Sequence, residues 1–154
     1  MLTLVLVRHA KSDWGTAGLS DHERPLNDRG QRDAPLMAAA LARTGFRPDR
    51  LLSSTALRAR TTAESFATAL DVPLETMSEL YGASVRELWD AAAATGGRSV
   101  LIVAHDPGLS ELASELAGRD VDMTTCAVAT FPIPGDQWPS TPPVVDEWSL
   151  HAPR

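Results

Sequence analysis

The chain has 154 residues, 44% apolar and 22% charged, the balance of one folded domain spanning residues 1–154 rather than a disordered segment. Its formal net charge of −6 excludes a protein that grips nucleic acid through a broad basic surface, leaving room for a small basic pocket only. The lone cysteine, Cys126, excludes an internal disulfide and a thiolate metal cluster, and it fits a reducing cytoplasm.

Leu2, Leu4, Val5, Leu6 and Val7 form a nearly unbroken apolar run, the pattern of a strand buried on both faces. It stops at Arg8-His9, so a cation and an imidazole stand at its carboxyl end, the edge where open α/β sheets bind ligands. The run is shorter than the roughly 7–15 residues of a signal-peptide core. No stretch approaches the ~20 apolar residues of a membrane span, so a cytoplasmic protein without a membrane partner is expected.

Residues 12–28 are polar and rich in charge and turn formers, long for a connection, and read as a functional loop beside the strand end. A helix follows, with Asn27 as N-cap, Ala34, Met37, Ala38 and Leu41 on one face, and Gly45 after its last turn. Pro35 is awkward in it: either Asp33 caps a later start or the helix kinks. Residues 50–54 read as a second strand ending in hydroxyls, followed by a helix over 56–70 with Arg58 in its first turn. Residues 72–77 make a weak edge strand because Pro73 is tolerated only at an edge.

Residues 84–95 form an amphipathic helix through Val85, Leu88, Trp89 and Ala92, stopped by Gly96-Gly97. Residues 99–104 repeat the first apolar run and end at His105-Asp106-Pro107-Gly108. A helix starting near Ser110 runs through Leu112, Ala113, Leu116 and Ala117 to Gly118. Two late strands, 127–131 and 144–150, flank a loop rich in Pro and Gly. Alternating strands and helices give a three-layer α/β/α sandwich with a mostly parallel sheet.

Three strand exits carry reactive or cationic groups: Arg8-His9, Ser53-Ser54 leading to Arg58, and His105. If those strands are parallel neighbours, the groups face one crevice. Arginine forks and histidines at a helix start suit a phosphoryl group. No Asp/His cluster has metal-ligand spacing, and neither GxxxxGK[ST] nor a GxGxxG after the first strand is present, so neither metal nor nucleotide cofactor is expected. Cys126 has no neighbouring anion loop, which leaves histidine as the nucleophile, with cations spreading charge over the phosphoryl oxygens.

Arg8-His9-Ala10, the stretch Ser54-Thr-Ala-Leu-Arg58-Ala-Arg-Thr-Thr-Ala-Glu64, and Ala104-His105 together resemble the histidine phosphatase superfamily, in its phosphoglycerate mutase-like branch. Residues 8–14 with Asp21-His-Glu-Arg24-Pro25-Leu26 resemble its small SixA-like group, whose founding activity removes phosphate from phosphohistidine in signalling proteins. The resemblance implies a phosphoglycerate mutase-like fold, His9 as the residue that becomes phosphorylated, and Arg8, Arg58 and His105 as the rest of the phosphate pocket. Ala10 stands where glycine is commoner, and Thr61 where many relatives carry glutamine.

For the general acid, Ser78-Glu79-Leu80-Tyr81-Gly82 resembles the stretch that supplies a glutamate in mutase-like relatives, so Glu79 is one candidate. Asp106, beside His105, is the other, and a phosphohistidine substrate could dispense with a strong acid because imidazole leaves more readily than an alkoxide. The implied partner is a phosphorylated protein. The alternatives are a small phosphate monoester such as a sugar phosphate, or an inactive phosphate-binding module. Arg24 and Lys11 read as solvated loop charges, and His22 and His151 as exposed and uninvolved. Cys126 reads as a small buried apolar residue, Trp89 as core, and Trp14 as lining the site entrance or packing the loop.

Overall fold

The computed structural model describes residues 1–154. Its elements follow in chain order as β1 (Leu2–Arg8), α1 (Asp28–Arg43), β2 (Arg50–Ser53), α2 (Leu57–Leu70), β3 (Leu74–Thr76), α3 (Val85–Ala94), β4 (Ser99–Ala104), α4 (Gly108–Ala117), β5 (Val128–Ile133) and β6 (Ser149–His151). The six strands lie in the order β3-β2-β4-β1-β5-β6. The first four are parallel, whereas β5 runs antiparallel to both β1 and β6.

Strand alternation divides the core into two layers. Leu2, Leu4 and Leu6 of β1, with Val100 and Ile102 of β4, face α3 and α4 and pack with Leu88, Trp89, Leu109 and Leu112. Val5, Val7, Leu101 and Val103 face the other way and pack with Ala34, Ala38, Ala59, Ala63 and Phe66 of α1 and α2. This is why the apolar runs in β1 and β4 are unbroken: both of their faces are covered.

Two glycines mark close approaches near the sheet's carboxyl edge. A Cβ on Gly30 would collide with the Lys11 carbonyl, and one on Gly108 with the Ala83 carbonyl. Both helices can therefore bring their first turns against the loops that follow or border the strand ends.

Helix α1 starts at Asp28, with the Asn27 side chain accepting from the Gly30 N–H at 2.9 Å, and it runs unbroken through Pro35. The later start capped by Asp33 does not occur. Pro35 is exposed, so the Gln31 carbonyl that loses its helical donor can turn to water.

The late strands differ from expectation. β5 continues past Phe131 through Pro132, which is tolerated because β6 pairs only with Val128–Thr130 and leaves that edge open. Residues 144–148 are not a strand: Val145 is buried, and its N–H donates to the Leu116 carbonyl at 2.8 Å, drawing the chain to the end of α4 before β6 begins. No helix is long and apolar enough to cross a membrane.

Candidate active site

The order β2-β4-β1 places three parallel strands side by side, with Ser53 opposite Val103 and Arg8 opposite Ala104. Their carboxyl ends therefore deliver Ser54, His105 and His9 to one edge. The end of β1 is tied on three sides. His9 N–H donates to the Ala104 carbonyl (3.1 Å), Cys126 N–H is shared between the Arg8 and His9 carbonyls (3.0 and 3.1 Å), and Ala10 N–H donates to Thr62 Oγ1 of α2 (2.9 Å). Cys126 reaches this position with a left-handed backbone, φ 61°. Its thiol is buried and pushed up to about 12 by desolvation, as suits a small apolar residue.

The two imidazoles lie 5.2 Å apart, centroid to centroid, and both are largely buried. His9 Nδ1 lies 2.7 Å from the Ala10 carbonyl. A carbonyl can only accept, so Nδ1 carries the proton and Nε2 keeps its lone pair. Burial lowers the His9 pKa to about 4, with the Arg58, Arg8 and Arg24 charges adding to the effect against the Ala10 bond. His105 is lowered to about 3, by burial first and then by His9 and Arg58. Both rings are neutral near pH 7.

His105 is held differently: its Nε2 lies 2.6 Å from Ser54 Oγ, and Nδ1 is buried without a partner. Arg8 donates from one terminal nitrogen to the Met123 carbonyl at 3.0 Å and lies 3.6 Å from Asp106. Arg58 gives both terminal nitrogens to Asp21, one to its carbonyl (2.6 Å) and one to Oδ2 (3.0 Å). The three buried side-chain N or O atoms left without a hydrogen bond are Arg8 Nε, Arg58 Nε and His105 Nδ1. Buried polar groups seldom stay unpaired without reason. Here every orphan belongs to a residue of one cluster.

Of the two carboxyl groups considered as acid, Asp106 is committed: Oδ1 accepts from Ser110 N–H (2.9 Å) and Oδ2 from the Ser110 hydroxyl (2.8 Å), so it holds the start of α4. Glu79 is exposed on the turn Ser78–Leu80 after β3, with no hydrogen bond or ion pair. Tyr81, two residues on, stands edge-to-face against His105 at 5.5 Å.

Two loop residues depart from their expected roles, and a third had none assigned. Arg24 is only 9% exposed, bonded to Ser12 Oγ (2.7 Å) and Asp21 Oδ1 (3.1 Å), with its guanidinium 3.4 Å from the Trp14 ring centroid. It is a structural tie, not a solvated charge. His22 is half-buried, bonded to Thr55 Oγ1 (2.8 Å) and edge-on to Tyr81. Asp21, quoted in the resembling stretch but given no role of its own, joins Arg24, Arg58 and Tyr81, and the Tyr81 hydroxyl first, then Arg58, holds its carboxyl well below the usual range. Lys11 and His151 are exposed as expected.

A family model described as histidine phosphatase superfamily (branch 1) matches residues 4–85. The chain belongs to that superfamily. The matched span holds Arg8, His9, Arg58 and Glu79 and ends before His105. An uncharacterized protein of Mycobacterium tuberculosis is 36% identical over 134 residues, 84% of this chain and 83% of that protein. An uncharacterized chloroplastic protein of Arabidopsis thaliana is 30% identical over 148 residues, 88% and 68%. The SixA protein of Agrobacterium tumefaciens has the same fold at a TM-score of 0.82 and 28% identity, covering 99% of this chain and 98% of that one. A protein histidine phosphatase SixA in complex with tungstate gives 0.78 and 26%, covering 98% and 95%. Within the superfamily the chain is a SixA-like phosphatase with the phosphoglycerate mutase-like α/β fold.

Proposed function

We propose that this phosphatase hydrolyses phosphohistidine in a protein substrate, through a covalent phosphohistidine of its own at His9 Nε2, without a metal ion. The observation that carries the reading is the tautomer of His9. The Ala10 carbonyl accepts a hydrogen bond from Nδ1–H, so a neutral Nε2 lone pair is presented at an edge lined by two arginines and a second histidine.

In the first step Nε2 forms a bond to phosphorus as the bond from phosphorus to the leaving ring breaks; the substrate ring, protonated on its other nitrogen, keeps the electron pair and departs as neutral imidazole. Arg8 and Arg58 carry the positive charge that balances the equatorial oxygens, and the orphaned N–H donors find partners there. The arriving dianion favours protonated imidazole, so His105, neutral in the empty site, takes up a proton and becomes a further donor. In the second step water attacks phosphorus, the bond to Nε2 breaks, and inorganic phosphate leaves. Glu79 is the unpaired carboxyl available to protonate a poor leaving group. An imidazole needs less help, which suits a site with no acid held in place.

The wild-type protein is to be assayed with chelator present on a phosphohistidine-bearing protein, an aryl phosphate and a sugar phosphate, beside His9→Ala. Chelator-resistant turnover that is fastest on phosphohistidine and absent in the variant supports the reading. Preference for the sugar phosphate transfers the assignment to small monoesters, and oxyanion binding without turnover to a binding module.

A further inference from the structure

Arg58 projects from α2 on a long side chain with several rotatable bonds, yet a phosphate ligand needs its planar fork in one orientation. No hydrogen bond from α2 provides that. The restraint comes from the loop between β1 and α1, and from one residue of it. The backbone carbonyl and the carboxylate of Asp21 each take a terminal nitrogen of Arg58, fixing the rotation of the guanidinium plane at two points and leaving Nε–H buried and unpartnered.

Asp21 is itself braced. Arg24 holds Oδ1, the Tyr81 hydroxyl donates to Oδ2 at 2.5 Å, and Arg24 is anchored in turn on Ser12. The base of the loop is closed by the Ser12–Leu26 bridge and by Asp13 N–H on the Pro25 carbonyl (2.8 Å). Base and tip are thus both tied. Asp21 makes no hydrogen bond or ion pair with Arg8, His9 or His105, although its charge reaches His105; its direct hold within the cluster is on Arg58.

We propose that Asp21 is a positioning residue for oxyanion binding: it sets Arg58 so that the remaining N–H donors meet a phosphoryl group, and it does so without touching the reacting atoms. The inference rests on the phosphatase reading. It makes a prediction whose sign runs against simple electrostatics. A carboxylate beside an anion site repels the anion, so removing it should tighten binding if charge alone mattered. If Asp21 positions Arg58, removing it weakens binding instead.

The test is tungstate binding by calorimetry, well below the melting temperature, for wild type, Asp21→Asn and Asp21→Ala, with thermal melts alongside. Positioning predicts wild type tightest, Asn intermediate because it keeps an acceptor for Arg58, and Ala weaker by about tenfold or more. Tighter binding in either variant, or unchanged binding with only a lower melting temperature, overturns the proposal. Should Asp21→Ala fail to fold, Asp21→Asn decides: severalfold weaker supports, equal or tighter overturns. Tungstate ranking needs no turnover, so a wild type inactive on every phosphate would sink the functional reading while this ranking still judged Asp21.

Discussion

The exits of β1 and β4 place the same residue type on adjacent parallel strands, and the fold gives the two imidazoles opposite wiring. His9 spends Nδ1 on the Ala10 carbonyl and keeps Nε2 free, whereas His105 spends Nε2 on Ser54 and keeps Nδ1 unpartnered. A backbone carbonyl dictates a tautomer because it can only accept; a serine hydroxyl can donate or accept and so tolerates either protonation state of His105. On the proposed mechanism, the partner of the ring, more than its burial, separates the nucleophile from a group that can change charge when an anion arrives. Burial is nearly the same for both residues, at 7% and 8% exposed.

That contrast can be broken from either side. His9→Ala removes the nucleophile and should cost on the order of 10⁴-fold or more in kcat, measured by phosphate release under saturating substrate. His105→Ala removes a donor to the transferring group and should cost about 10²–10³-fold, with His9 still able to become phosphorylated slowly. Equal losses in the two variants would contradict the division of roles.

Leaving-group chemistry sharpens the account further. Glu79→Gln should lower turnover of an alkyl phosphate by about 10²-fold while changing phosphohistidine turnover by less than about threefold, because only the alkoxide needs protonation. Ser54→Ala removes one neutral hydrogen bond from His105 and should cost roughly fivefold in kcat/KM.

The pH dependence of stability offers a separate check. Both histidines have folded-state pKa values below the unfolded value, at about 4 and about 3, so the unfolded chain binds protons first as pH falls. Their contribution is absent above about pH 7, and stability should fall from about pH 6.5 downward by about 1.4 kcal/mol per pH unit per histidine until each folded ring titrates. Urea unfolding of His105→Asn across this range should show a shallower slope than wild type. An unchanged slope would mean that His105 is not held neutral.

Much of this was legible in the chain because it is carried by local pattern. The unbroken runs of β1 and β4 announce strands covered on both faces, and each is followed by a histidine, so parallel pairing alone brings His9 and His105 together. Arg58 follows from its place in the first turn after β2. The contacts of Asp21 and Arg24 were not legible: both stand in a recognisable motif, but nothing local in it says which carboxylate folds back onto Arg58, 37 residues away. Val145 illustrates the opposite error. Its apolar stretch looks like a strand, and capture by the end of α4 overrides it.

The central claim, that Nε2 of His9 accepts the phosphoryl group, is tested most directly by trapping it. Enzyme mixed rapidly with a phosphohistidine substrate and quenched in alkali, which preserves phosphohistidine, is digested and mapped by mass spectrometry, with phosphorus NMR to tell the two ring nitrogens apart. The account predicts one labelled residue, His9, phosphorylated on Nε2, and no label in His9→Ala. Label on His105, on Nδ1 of His9, or turnover at full rate with no trapped phosphoenzyme would contradict it.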